Sequence, residues 1–218
     1  TVTPTANTGA VAEYTIALIF ALARHVPEHH RSVLQGRWEP IQGIELAGRR
    51  LGLVGLGRIG QEVARRATAL GMIVGYHDIV RKPPEVEQSL QVQYLDLDEL
   101  LKWADIVSLH APYVPGAPPP LGEREMALMR PGALLVNTAR GELVDEHALA
   151  EALRSGHLGG AALDVFSQEP PPPSHPLLTA PNVVLSPHAA AQTKEALHRM
   201  AEEAVDSVLD VLRGRRPR

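Results

Sequence analysis

The stretch Leu51-Gly52-Leu53-Val54-Gly55-Leu56-Gly57-Arg58-Ile59-Gly60 decides the fold of this chain. An apolar run leads into a glycine-rich turn and then into an amphipathic segment, which is typical of strand, turn and helix. Gly55, Gly57 and Gly60 have the G-x-G-x-x-G spacing. In that pattern the first glycine permits a tight turn, the second lets a pyrophosphate approach the backbone, and the third lets helix and strand pack closely.

A carboxylate follows at the distance that a dinucleotide site requires. The next apolar run ends in Asp78, 18 residues after Gly60, where an acid accepts hydrogen bonds from the adenosine ribose hydroxyls. The N-terminus of the helix at Arg58 and Ile59 supplies amide groups for the phosphates. This context favours dinucleotide binding over a purely structural glycine turn. Asp78 would repel a 2′-phosphate and favours NAD, although the nearby Arg81 leaves NADP open.

The composition narrows the classes of protein to which this chain can belong. The 218 residues are 44% hydrophobic and 21% charged, with a net charge of −4, as in ordinary globular proteins. The mild acidity gives no support for nucleic-acid binding, and the lack of cysteine excludes disulfides and thiolate nucleophiles. The apolar run Tyr14–Ala23 is too short to span a bilayer, so we expect a cytoplasmic protein without a membrane partner. The start at Thr1 rather than Met leaves open that the chain is a fragment.

Short apolar runs alternate with amphipathic segments along most of the chain, which predicts βαβ units. The predicted strands are Leu51–Gly55, Met72–His77, Val92–Leu95, Ile106–His110, Ala133–Asn137, Gly160–Asp164 and Val183–Ser186. The predicted helices between them are Ile59–Leu70, Leu97–Trp103, Glu123–Met129 and Asp145–Ser155. The proline-rich segments Pro115–Leu121 and Pro170–His175 are interpreted as loops. We therefore predict an α/β fold, a doubly wound, Rossmann-type parallel sheet with flanking helices.

Two longer helices, Gly9–Arg24 and Thr193–Leu212, flank this body. Such helices often pack on another domain or subunit. We divide the chain into linker and dimerisation helices of a partial substrate lobe (residues 1–48), a nucleotide-binding domain (49–190) and a C-terminal return helix with a basic tail (191–218).

Three further signatures stand at the ends of predicted strands. Asn137-Thr138-Ala139-Arg140-Gly141 follows one strand, Leu163-Asp164-Val165-Phe166 another, with Glu169-Pro170 shortly after it, and Ser186-Pro187-His188 the last. Loops after the carboxyl ends of parallel strands line the ligand crevice of an open sheet. Arg140, Asp164, Glu169 and His188 should therefore converge.

With these motifs in this order, the sequence resembles the D-isomer-specific 2-hydroxyacid dehydrogenase family from end to end, and most closely its phosphoglycerate and hydroxypyruvate dehydrogenase branches. The resemblance implies hydride transfer between NAD(H) and a D-2-hydroxy acid or its 2-oxo acid, in a homodimer. It implies that Arg140 grips the substrate carboxylate, that His188 is the general acid–base, and that Glu169 bonds His188 and fixes its tautomer. Further cofactor contacts are implied for Thr8, Arg58, Ile59, Thr138, Ala139 and Asp164.

Each of these roles has a plainer alternative. Arg140 could form a surface salt bridge, a single histidine is more often structural, and a carboxylate before Pro170 could be an ordinary loop acid. The chain also departs from the family, because most of the N-terminal lobe is absent and Tyr113–Pro120 replaces a segment that usually carries threonines. A dinucleotide-binding module without turnover (a sensor, a scaffold or a gene fragment) is therefore the alternative function.

Two other clusters have weaker interpretations. His25, His29 and His30 have a spacing that could bind a metal, but Pro27 interrupts the predicted helix and no second cluster completes a site, so we expect no metal. A basic tail follows at Arg213, Arg215, Arg216 and Arg218, and we interpret it as a solvated terminus rather than a nucleic-acid patch.

Overall fold

The computed structural model describes residues 5–215, and it contains a seven-stranded sheet in which every pair of neighbours is parallel. The spatial order is β3-β2-β1-β4-β5-β6-β7. The strands are β1 (Arg50–Val54), β2 (Ile73–His77), β3 (Val92–Tyr94), β4 (Ile106–Leu109), β5 (Leu134–Asn137), β6 (Gly160–Leu163) and β7 (Val183–Leu185). The predicted doubly wound sheet is confirmed.

Helices cover both faces of the sheet. They are α1 (Thr8–Ala23), α2 (Val26–Leu34), α3 (Arg58–Ala69), α4 (Pro84–Leu90), α5 (Leu97–Trp103), α6 (Glu123–Leu128), α7 (Glu146–Arg154) and α8 (Lys194–Leu212). Side chains of α1 and α3 share one apolar core with β1 and β2, while α5, α6 and α7 share the other with β4 and β5. Burial on both faces explains why most of the strands are continuously apolar.

Two helices, α2 and α4, were not predicted. Pro27 was expected to interrupt a helix, but it lies in the first turn of α2. The helix starts directly after His25, which has the left-handed conformation with φ 51°. Pro84 likewise occupies the first turn of α4. Both positions suit proline, because the first amides of a helix have no carbonyl partner within it. Both prolines therefore mark the start of a helix.

The first helix belongs to the core of the described domain. Ile19 and Leu22 of α1 are buried in the same cluster as Leu51 of β1 and Val63 of α3. The division of the chain at residue 48 stays a prediction. On α8, by contrast, large apolar side chains remain exposed, namely Leu197, Val205, Val208, Leu209, Val211 and Leu212. Of the basic tail, Arg216 and Arg218 lie outside the described residues.

The order of the strands fixes where a ligand can bind. The chain leaves β1 toward β2 and β3 on one side and returns to β4 on the other, so β1 and β4 form the switch point. In open α/β sheets the ligand crevice lies outside the carboxyl ends of the strands at this point. The glycine turn after β1 and His110 after β4 both lie there.

No single helix within residues 5–215 is long and apolar enough to cross a membrane. Helices α1 and α2 pass that test only together, with a bend of 60° between them.

Candidate active site

The glycine turn is packed tightly on one side and open on the other. Gly55 has φ +99°, and a Cβ there would lie 2.7 Å from the backbone of His110 and Ala111. A Cβ on Gly60 would overlap the carbonyl oxygen of Gly55. At Gly57, which caps α3, a Cβ would meet nothing within 4 Å. The turn thus presents backbone and the N-terminus of α3 to open space, as a pyrophosphate requires.

Asp78 lies beside this turn, directly after β2. Its Oδ2 accepts a hydrogen bond of 2.9 Å from the amide of Leu56, and Lys82 Nζ lies 3.1 Å from the same oxygen. Partial burial opposes ionisation, but these two donors outweigh it and hold the pKa of Asp78 below its ordinary value. An ionised carboxylate next to the glycine turn fits the adenosine end of NAD.

A cleft of about 450 Å³ opens at the carboxyl ends of the strands. Six of the residues singled out in the sequence line it: Ile59, Thr138, Ala139, Arg140, Asp164 and His188. Thr8 is not among the lining residues, whereas its neighbours Asn7 and Val11 are. Tyr113, from the segment that departs from the family pattern, lines the cleft as well.

His188 and Glu169 form a close pair at the edge of this cleft, where Glu169 lines a smaller cavity with Arg140 and His188. His188 Nδ1 lies 2.7 Å from Glu169 Oε2, and the amide of Phe166 donates to the other carboxylate oxygen at 3.1 Å. Burial opposes ionisation of Glu169, but the bonds from His188 and Phe166 outweigh it and lower its pKa. An ionised Glu169 accepts a hydrogen bond from Nδ1–H of His188, which leaves Nε2 as the nitrogen that can exchange a proton with a ligand.

Asp164 holds the backbone turn that presents His188. Its Oδ1 accepts from Ser186 Oγ at 2.6 Å and from the amide of Ala189 at 2.8 Å, and its Oδ2 accepts from the amide of Ala190 at 2.8 Å. These bonds secure His188 itself in a left-handed conformation with φ 52°, which costs on the order of 1–3 kcal/mol for a residue other than glycine. Oδ2 can still accept one further donor from the cleft.

Arg140 extends from a turn that is rigid at its base. The side chain of Asn137 bonds the carbonyl of Arg140 at 2.8 Å and the amide of Ala139 at 3.0 Å. Gly141 packs so closely that a Cβ there would overlap the backbone of Phe166. The turn that carries Arg140 is thereby fixed against the turn that carries Glu169, while the guanidinium stays exposed to the cleft.

A buried hydrogen-bond network, which the sequence did not predict, lies behind these turns. The carboxylate of Glu146 is 6% exposed, and it accepts bonds from the amide and hydroxyl of Ser167 and from His175 Nε2 at 3.2 Å. Ser167 directly follows Phe166, whose amide bonds Glu169. Two successive acids stand at the start of α7, and only the first, Asp145, caps the helix. An acid that follows the cap residue, here Glu146, was the sequence signal that could have indicated this buried network.

His110 also lines the cleft. It lies 2.9 Å from Ser108 Oγ, and burial lowers its pKa to about 4. His110 is therefore neutral at physiological pH and adds no positive charge to the cleft. Within the described part of the chain, no three His, Asp or Glu residues are grouped to hold a metal ion.

Comparison with known proteins agrees with this geometry. Residues 16–190 match the family model described as "D-isomer specific 2-hydroxyacid dehydrogenase, NAD binding domain". The chain belongs to this family. The chain thus contains the NAD-binding domain of the 2-hydroxyacid dehydrogenases, and NAD is its cofactor.

Similar proteins are known from archaea and bacteria. The chain is 44% identical to glyoxylate reductase from Korarchaeum cryptofilum, covering 99% of this chain and 66% of the relative. It is 45% identical to D-3-phosphoglycerate dehydrogenase from Methanocaldococcus jannaschii, over 97% of this chain and 40% of the relative. The crystal structure of TT0316 protein from Thermus thermophilus superposes with a TM-score of 0.91 at 48% identity, covering 100% of this chain and 69% of that one. The chain thus spans less than two thirds of the length of these two curated relatives.

Proposed function

We propose that this chain carries the cofactor site and the proton-transfer groups of an NAD-dependent 2-hydroxyacid dehydrogenase, which interconverts a D-2-hydroxy acid and its 2-oxo acid. The observation that carries the proposal is the 2.7 Å pair of His188 and Glu169. His188 lines the cleft beside the glycine turn together with Arg140, and Glu169 lines a smaller cavity that shares these two residues. NAD(H) supplies or accepts a hydride at its nicotinamide ring.

The residues of the chain divide the remaining chemistry between them. The exposed guanidinium of Arg140 binds the carboxylate of the substrate through its planar set of donors. Nε2 of His188 gives a proton to the carbonyl oxygen of the 2-oxo acid, and takes it back from the hydroxyl in the oxidation direction. Glu169 holds Nδ1 and stabilises the protonated ring. Thr138, Ala139 and the free lone pair on Asp164 face the cofactor, with Arg58 and Ile59 at its pyrophosphate.

The assembly belongs to the same proposal. We expect a homodimer, supported by the family resemblance and by the large apolar side chains that α8 leaves exposed. Size-exclusion chromatography with light scattering measures the mass of the particle directly. A cytoplasmic location is a further prediction, which cell fractionation checks.

Replacement of His188 by alanine tests the mechanism. We expect kcat with glyoxylate or hydroxypyruvate to fall by a factor of about 10²–10⁴, the usual contribution of a positioned acid–base group. The affinity for NADH should change by less than about twofold, because Nε2 acts on the substrate and not on the cofactor. Steady-state rates and fluorescence titration of NADH separate the two effects.

His147→Ala is the matched control, since His147 is exposed on α7 and lies outside the cleft. It should leave both kcat and NADH affinity unchanged. An equal loss of NADH affinity in His188→Ala would contradict the proposed role. Intact NADH binding without turnover of any 2-oxo acid by the unmodified protein would favour a binding module instead.

A further inference from the structure

Four charged side chains surround the segment that follows β2. Asp78 and Lys82 form one ion pair at 3.1 Å. Arg81 and Glu87 form the other, in which Nε and Nη2 of the guanidinium donate to the two carboxylate oxygens at 2.8 and 2.9 Å. The two pairs share one short segment of chain, so a ligand that touches Asp78 meets the field of all four charges.

Glu87 is positioned to maintain its ion pair with Arg81. Its side chain is 12% exposed and that of Arg81 is 62% exposed. The hydroxyl of Tyr76 donates a further bond of 2.7 Å to Glu87, and accepts one of 2.8 Å from the amide of Lys82. The bonds from Arg81 and Tyr76 lower the pKa of Glu87 to about 2. Glu87 therefore stays charged, and it anchors the guanidinium from the protein side.

The cation that this pair holds is the one that an NADP site would need. An arginine close to the end of the second strand accommodates the 2′-phosphate of NADP, whereas an acid there binds the 2′-hydroxyl of NAD. The fork of an arginine binds phosphate through two parallel N–H donors. In Arg81 the Nε and Nη2 donors of one such fork are given to Glu87, so the residue is present but engaged.

We propose that Glu87 is a determinant of cofactor selectivity: by holding Arg81 it withholds the guanidinium from a 2′-phosphate and keeps the site selective for NAD(H) over NADP(H). The inference rests on the proposed place of Asp78 at the adenosine ribose. Glu87 itself touches Arg81 and Tyr76, and it acts on the cofactor through Arg81.

Glu87→Gln tests the proposal in fluorescence titrations of the chain with NADH and with NADPH. The amide removes the charge that holds Arg81 but keeps a polar partner for Tyr76. We expect NADPH to bind about tenfold more tightly, the effect of one added charge-assisted hydrogen bond. NADH affinity should change by less than about twofold, because the 2′-hydroxyl carries no charge for Arg81 to bind.

Three further variants make the result specific. Glu85→Gln removes the same charge from an exposed position on α4 and should leave NADPH affinity unchanged. Arg81→Met in the unmodified background should also leave it unchanged, since the guanidinium is already engaged. In Glu87→Gln, Arg81→Met should abolish the tenfold gain.

Two outcomes would overturn the inference. If Glu87→Gln binds NADH normally and NADPH no better than before, Glu87 does not control Arg81 at the cofactor, although the proposed cofactor site stands. If Arg81→Met alone weakens NADPH binding, Arg81 already contacts the phosphate. Failure of the unmodified chain to bind NADH would instead remove the cofactor site itself, and this inference with it.

Discussion

At the residue scale, the buried carboxylate of Glu146 shows how one side chain can support several others. Glu146 accepts three bonds, and two of them come from Ser167, which lies in the turn that supports Glu169. Glu146→Gln would set an NH₂ group against donors that need an acceptor. We expect the free energy of unfolding to fall by about 1–3 kcal/mol, the cost of leaving buried polar groups unpaired. Urea denaturation measures this loss.

The matched control is Glu151→Gln on the same helix. The Glu151 side chain is 74% exposed and pairs with Arg154, three residues further along. An exposed pair of this kind contributes about 0–1 kcal/mol. If both variants unfold at the same urea concentration as the unmodified chain, the network around Glu146 does not stabilise the fold.

At the element scale, two glycines of the strand–turn–helix unit of β1 and α3 differ in the space around them. Gly60→Ala forces a methyl group against the carbonyl of Gly55, whereas Gly57→Ala meets no protein atom within 4 Å. We expect Gly60→Ala to lower the melting temperature and Gly57→Ala to leave it nearly unchanged. Gly57→Ala should nevertheless weaken NADH binding at least about tenfold, because its methyl group occupies the approach of the pyrophosphate.

Thermal unfolding and NADH titration of both variants check this pair. The separation of stability from binding is the decisive feature, since a turn with only a structural role predicts no binding defect in a stable Gly57→Ala protein. Normal NADH affinity in that variant would place the pyrophosphate elsewhere.

The same scale shows what the sequence could and could not predict. All seven strands lie within one residue of their predicted bounds at each end, because apolar runs of this length and spacing have few alternatives in a parallel sheet. The helices α2 and α4 were missed because each carries a proline in its first turn. Proline marks both helix starts and loops, so the residue by itself does not separate the two.

At the scale of the whole molecule, the convergence of the candidate site could be predicted, but not its supports. The rule that loops meet at the carboxyl ends of parallel strands brought Arg140, Asp164 and His188 to one cleft. The same rule gives no information on the left-handed turn of His188 or on the partners of Asp164. Those contacts depend on backbone conformation after β6 and β7, which no residue pattern encodes by itself.

His110 gives the whole fold a predicted dependence on pH. Its pKa is lowered by burial to about 4 in the folded chain, from an unfolded value of about 6.5. Between these values the unfolded chain binds a proton that the folded chain excludes, so acidification favours unfolding. The stabilisation is complete above pH 6.5 or so, and it falls by up to about 3 kcal/mol as the pH approaches 4.

Urea denaturation at several pH values between about 4.5 and 7 measures this dependence, in a range that lies above the lowered pKa values of Asp78, Glu87 and Glu169. His110→Gln cannot acquire a charge, so its unfolding free energy should vary less steeply over this range. His147→Gln, at an exposed position on α7, should retain the steepness of the unmodified chain. Equal slopes for the unmodified chain and His110→Gln would mean that His110 accepts its proton as readily in the folded protein as in the unfolded one.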